Sequence, residues 1–120
     1  MEKVAKVIAD FLVSKGVSDV FTVTGGGAMH LNDALGHCPQ LHSTYNHHEQ
    51  ACAIAAEGYA RLTGRIAAVC VTSGPGGTNA ITGVMGGYLD SIPMFVISGQ
   101  VKRETTVWSC PELGLRALGD

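Results

Sequence analysis

The run Ile66 to Thr72 (IAAVCVT) is apolar without any alternation, and the loop Ser73-Gly74-Pro75-Gly76-Gly77 cuts it off. A strand of that kind must be covered on both faces, the condition met by a parallel sheet lying between two layers of helices. The rest of the chain supplies such layers. Val4, Val7, Ile8, Phe11 and Leu12 recur at helical spacing, and Gly16 is placed to end that helix in the left-handed conformation. Val17 to Thr24 reads as a strand ended by Gly25-Gly26-Gly27, Ala28 to Leu35 as a short helix, and Leu41 to Tyr45 as a second strand. Glu49 to Leu62, closed by Gly64, is the longest helical stretch; a helix over Thr78 to Asp90 and a strand over Pro93 to Ser98 complete the alternation. From Lys102 onward only a short helix over Glu112 to Leu118 is expected. The fold class is therefore α/β, an open parallel sheet with helices on both faces.

In such sheets the loops leaving the carboxyl ends of the strands emerge on one edge, where ligands bind. The glycine triplet, Glu49, the Ser73–Gly77 loop and Gln100 are expected to share that edge. The chain of 120 residues has the size of one domain, and 46% hydrophobic against 15% charged residues excludes disorder. Its net charge of −2, with basic residues dispersed, gives no reason to expect nucleic acid or an anionic membrane as partner. No stretch has the length and apolarity of a membrane span, and MEKVAKVIADF lacks the pattern of a secretory signal. Cys38, Cys52, Cys70 and Cys110 are irregularly spaced, so reduced thiols and a cytoplasmic location are expected.

Glu49 stands at the head of an otherwise small and apolar helix, and two readings of it are open. With Asn46 as N-cap, Glu49 would be the third helical position of a capping box. Alternatively, it is a site carboxylate on a helix buried against a second surface. The two glycine loops each follow a strand and precede a helix, where backbone amides can cradle a phosphate. Neither carries a Walker or G-x-G-x-x-G spacing, so tight turns and contact with a flat ring or another subunit fit equally. His47, His48 and Cys52 do not complete a tetrahedral metal set, and no metal site is expected in this chain. Gly83, Gly86 and Gly87 would weaken an exposed helix by about 1 kcal/mol each, so close approach of another backbone is expected there.

Residues 20 to 101 resemble the pyrimidine-binding (PYR) domain of thiamine-diphosphate-dependent enzymes, in particular the acetolactate synthase-like branch. The residues that carry the resemblance are FTVTGGGAMHLNDAL, HHEQACAIAAEGYAR, VTSGPGGTNAITGV and LDSIPMFVISGQV, in that order and at the family's spacing. The resemblance implies that Glu49 takes the place of the glutamate that hydrogen-bonds the aminopyrimidine ring nitrogen and promotes its imino form. It implies further that Thr24 and Gly25 lie beside the pyrimidine, and that Thr72, Pro75 and Asn79 lie in the second glycine loop near cofactor or substrate. His48 and Gln100 look like substrate-side or gate residues.

The implied reaction is decarboxylation of a 2-oxo acid and carboligation to a second carbonyl, with chemistry supplied by thiamine diphosphate. The family usually has Pro where this chain has Thr24. It also holds the diphosphate through Mg2+ in a separate domain with a Gly-Asp-Gly motif, of which this chain has only Gly119-Asp120. The resemblance therefore implies a PYR domain truncated before its last strands, inactive alone and completed by the diphosphate-binding domain of another subunit or chain. It also implies a homo-oligomer, dimer or tetramer, joined through small-residue helices. FAD is compatible with the resemblance but not indicated. Two other readings stay open: a non-catalytic interaction module pairing with a larger chain, and a generic nucleotide-binding α/β domain.

Overall fold

The computed structural model describes residues 2–106, and the expected helix over Glu112 to Leu118, like Cys110, lies outside them. Helices and strands alternate as α1 (Val4–Ser14), β1 (Asp19–Thr22), α2 (Met29–Gly36), β2 (His42–Tyr45), α3 (Glu49–Thr63), β3 (Ala67–Val71), α4 (Pro75–Leu89) and β4 (Met94–Ser98). Single 3-10 turns at Gly26–Ala28 and Arg103–Thr105 precede α2 and follow β4. The sheet is wholly parallel, in the order β2-β1-β3-β4.

The unalternating strand is the inner one expected: all five residues of β3 are buried. Ala68 and Cys70 point into a core shared with Leu12 of α1, Val20 of β1 and Leu35 of α2. Ala67, Val69 and Val71 point the other way, into a core with Cys52 and Ala56 of α3 and Ala80 of α4. The two-residue period of the strand thus divides one apolar run between two helical layers.

Local chemistry sets most boundaries. Gly16 at φ +78 and Gly64 at φ +67 end α1 and α3 in the left-handed conformation that glycine adopts without steric cost. At the first of these, Val17 N–H donates to Leu12 O (3.1 Å) and Gly16 N–H to Val13 O (2.9 Å), a Schellman closure. That use of the Val17 amide explains why β1 starts at Asp19 rather than at Val17. Helix α4 starts three residues earlier than the sequence suggests, because Pro75 occupies its first turn with a preset φ and no N–H to satisfy.

The capping-box reading of Glu49 does not hold. His48 is the N-cap of α3, its Nδ1 accepting from Gln50 N–H (3.1 Å), and Glu49 is the first helical residue. Asn46 is drawn away, its side-chain amide donating to Cys52 Sγ (3.4 Å) and its backbone N–H to Thr22 O (3.0 Å).

The close backbone approach expected of the α4 glycines occurs at Gly83. A Cβ built there would lie 2.6 Å from Ala53 Cβ and 2.9 Å from Gln50 O of α3. Gly87 is pressed instead by the Met94 side chain, and Gly86 faces the Glu57 carboxylate. The outer faces of these helices are not covered within the chain: Ile54, Ile81, Met85, Tyr88 and Leu89 are all at least half exposed.

Candidate functional site

Parallel register brings the carboxyl ends of β1, β3 and β4 to one edge, and the two glycine loops meet there. Val20 to Thr22 pair with Ala68 to Cys70, so the loops that leave β1 and β3 start from the same level of the sheet. Thr72, the first residue beyond β3, is the contact point. Its Oγ1 accepts from Gly27 N–H (3.1 Å). A Cβ on Gly25 would fall 2.5 Å from Thr72 Cβ and Cγ2, and one on Gly76 would fall 2.7 Å from Thr72 Cγ2. Gly25 and Gly76 make room for a side chain rather than for a positive φ: Gly25 is extended at φ −170.

Glu49 reaches this edge from the head of α3, partly buried. Its Oε2 accepts from Asn79 Nδ2 (2.9 Å), 30 residues away on α4. Its Oε1 lies 3.6 Å from where a Gly76 Cβ would be, and accepts no hydrogen bond within the described residues. One oxygen is therefore oriented while the other keeps its lone pairs for a ligand donor. The acidic group at the amino end of α3 also faces the positive end of the helix dipole.

The other expected site residues are placed less closely. Pro75 begins α4 with its ring exposed, and Thr24 is exposed on the loop between β1 and the first 3-10 turn. His48 is exposed and engaged in capping α3. Gln100 is exposed beyond β4, its Oε1 accepting from Val101 N–H (2.7 Å). The structure thus joins Gly25, Glu49, Thr72 and Asn79 in one contact network, while Thr24, Pro75, His48 and Gln100 lie at its margin.

Two positions went unremarked individually in the sequence. Gly76 is buried between Thr72 and Glu49, and Gly99 presses backbone on backbone, its would-be Cβ 2.4 Å from Gly27 O. For Gly99 the available signal was its place directly after a strand, where close packing of loops demands a missing side chain.

A groove of about 470 Å3 between α1 and α2, lined by Lys6, Asp10, His30 and Asp33, holds none of the site residues. Among the described residues no group of three or more His, Cys, Asp or Glu side chains is arranged to hold a metal.

The family model described as "Thiamine pyrophosphate enzyme, N-terminal TPP binding domain" matches residues 2–113. The chain belongs to this family. It is similar to the acetolactate synthase large subunit of Buchnera aphidicola subsp. Schizaphis graminum, 47% identical over 97 residues that cover 81% of this chain and 17% of that protein. The acetolactate synthase isozyme 3 large subunit of Escherichia coli is 45% identical over 97 residues, with the same coverage of 81% and 17%. Acetolactate synthase 1, chloroplastic, of Oryza sativa subsp. japonica is 44% identical over 101 residues, covering 84% of this chain and 16% of that protein. The chain therefore spans about a sixth of the length of the curated relatives it matches.

For a thiamine pyrophosphate enzyme domain the fit of the cofactor can be tested on this edge. The pyrimidine ring of thiamine diphosphate presents ring nitrogen and amino groups, which call for an oriented acceptor beside close backbone. Glu49 Oε1 is such an acceptor, fixed through Asn79, and the Gly25–Gly27 loop brings bare backbone to the same edge. The residues present fit the pyrimidine end of the cofactor.

Proposed function

We propose that this chain is the pyrimidine-binding part of an acetolactate synthase-like enzyme that decarboxylates a 2-oxo acid and joins the product to a second carbonyl compound. The observation that carries this reading is the half-used Glu49 carboxylate, one oxygen held by Asn79 and the other accepting no hydrogen bond among the described residues, at the edge where both glycine loops meet. The identity to acetolactate synthase subunits across four-fifths of the chain supports it.

Glu49 and Gly25 would hold the pyrimidine, with Thr24, Pro75 and Asn79 around them. When bound, thiamine diphosphate supplies the carbon nucleophile and the electron sink for the decarboxylation. Glu49 would share a proton with the pyrimidine ring, acting as acid and base in turn. Asn79 keeps that carboxylate from swinging away. His48, at the head of the same helix, and Gln100, on the loop after β4, stand where a 2-oxo acid substrate would approach.

The diphosphate and its Mg2+ belong, on this reading, to a domain outside this chain, and the chain alone is inactive. The exposed apolar side chains of α4 supply the surface on which that domain or a second subunit would sit, giving a homo-oligomer. No helix among the described residues is long and apolar enough to cross a membrane. A cytoplasmic enzyme without nucleic acid partners, and with no feature that calls for FAD, is the corresponding proposal.

The test is Glu49→Gln in the complete protein, read by exchange of the C2 proton of bound thiamine diphosphate. General acid–base roles contribute about 10²–10⁴-fold, so exchange is expected to fall by at least about 100-fold. Near-normal exchange would overturn the assignment.

A further inference from the structure

Resting on that functional reading, we propose that Thr72 is a positioning residue that ties the first glycine loop to the second and thereby sets the pyrimidine-facing backbone relative to Glu49. Thr72 touches neither ring nor substrate in this role. Its hydroxyl and its methyl do separate work. The Oγ1 accepts from Gly27 N–H at 3.1 Å, pinning the turn that carries Gly25–Gly27. The Cγ2 methyl fills the spaces left by two glycines, 2.5 Å from a Gly25 Cβ and 2.7 Å from a Gly76 Cβ. Gly76 in turn lies against Glu49 Oε1, at 3.6 Å measured the same way.

Threonine suits the place because branching at Cβ leaves χ1 few choices, so one side chain presents hydroxyl and methyl in two fixed, divergent directions. The backbone of Thr72 extends the tie to the loop after β4. Its carbonyl accepts from Ser98 Oγ (3.3 Å), and next to it Gly99 N–H donates to Val71 O (2.8 Å). Loops from three parallel strands are thus joined at one residue. Valine would keep the shape and leave the Gly27 amide without its acceptor. Serine would keep the acceptor and lose only the methyl.

The experiment compares Thr72→Val, Thr72→Ser and Thr72→Ala in the complete protein. Amide hydrogen exchange is followed over residues 24–28 without cofactor, and affinity for thiamine diphosphate with Mg2+ is measured by calorimetry. Thr72→Val is expected to speed exchange at Gly27 about tenfold and to weaken cofactor binding about tenfold, the factor that corresponds to about 1.4 kcal/mol. Thr72→Ser is expected to restore both to within about threefold of the unaltered protein, a rescue that loss of packing alone would not produce. Should Thr72→Val fail to fold, Thr72→Ala, which adds no bulk, is expected to show the same two losses.

Wild-type exchange at Gly27 in Thr72→Val, or in Thr72→Ala in its place, overturns the tie. Faster exchange with unaltered affinity overturns the link between the tie and the cofactor. Unaltered protein that binds no thiamine diphosphate overturns the functional reading, and the positioning role with it; exchange then reports the loop contact separately.

Discussion

Asn79 on α4 donates its side-chain N–H to Oε2 of Glu49 at 2.9 Å, joining the heads of two helices that follow different strands. Among the described residues the bond leaves the other carboxylate oxygen without a donor, and it fixes the direction in which that oxygen is presented. Asn79→Ala removes the orienting donor without adding charge. A hydrogen bond to a charged group is worth about 1.5–3 kcal/mol, so C2 proton exchange of bound thiamine diphosphate is expected to slow by roughly 10–100-fold. Asn79→Asp sets a second carboxylate against the first and is expected to slow it further. The measurement is C2 exchange by proton NMR under saturating cofactor.

Gly83 and Gly58 are both helical glycines in opposite situations. A Cβ at Gly83 meets the backbone and side chains of α3 at 2.6–3.1 Å, whereas one at Gly58 meets nothing within 4 Å. Gly83→Ala is expected to destabilise the protein by about 1–3 kcal/mol through overpacking, despite alanine's better helix propensity. Gly58→Ala is expected to stabilise it by about 0.4–1 kcal/mol. Denaturant midpoints of the two variants, moving in opposite directions, check this.

His48 closes the amino end of α3 through Nδ1, which accepts from Gln50 N–H. His48→Ala is expected to cost about 1 kcal/mol of stability, and His48→Asn to restore most of it, since asparagine is among the preferred N-caps. If His48 also meets the substrate, as proposed, the asparagine variant recovers stability while KM for the 2-oxo acid stays raised. Unfolding midpoints and initial rates on the same two proteins separate the roles.

Asp19 begins β1 at the opposite end of the sheet. Partial burial pushes its carboxyl up, but hydrogen bonds from Ser18 and Tyr59, with His42 and Arg65 nearby, outweigh that and bring it below the usual carboxylate range. A carboxyl lowered in the folded state contributes stability above its unfolded value, near about 3.9, and loses it as pH falls through the folded value. The wild-type protein is expected to lose stability more steeply than Asp19→Asn as pH falls below about 5 through the acid range. Urea midpoints across that window measure the difference.

Burial pushes the Cys70 thiol up to about 11 and raises that of Cys52 as well. Cys38 is only partly buried. With iodoacetamide at neutral pH, peptide mapping is expected to find Cys38 alkylated before the other two described cysteines, with Cys52 and Cys70 modified only as the protein unfolds. Prompt labelling of Cys70 in the native protein would contradict its place in the inner strand.

Periodicity made the layers legible. The unbroken run at Ile66 to Thr72 marked the inner parallel strand, and the helical spacing marked α1 but not its buried face: Ala5, Ala9 and Leu12 are buried, while Val4, Val7 and Phe11 of the expected stripe are exposed. Gly16 and Gly64 ended helices where expected, because a left-handed residue is a local requirement that the residue itself satisfies. The first glycine loop and Glu49 were likewise recognisable as features of one edge, since parallel topology sends successive loops the same way.

The amino-acid sequence by itself determined which elements form, which strand lies inside, and which loops share an edge, all consequences of patterns a few residues long. Tertiary structure decided what lies against what. Asn46, suited to cap α3, is drawn to Cys52 and the Thr22 carbonyl, and His48 caps instead. Thr72 turns its hydroxyl to a glycine 45 residues earlier, and Asn79 finds a carboxylate 30 residues earlier. Such pairings depend on the register of parallel strands and the approach of α3 to α4. Those are set by the packing of the whole core, so no local pattern records them.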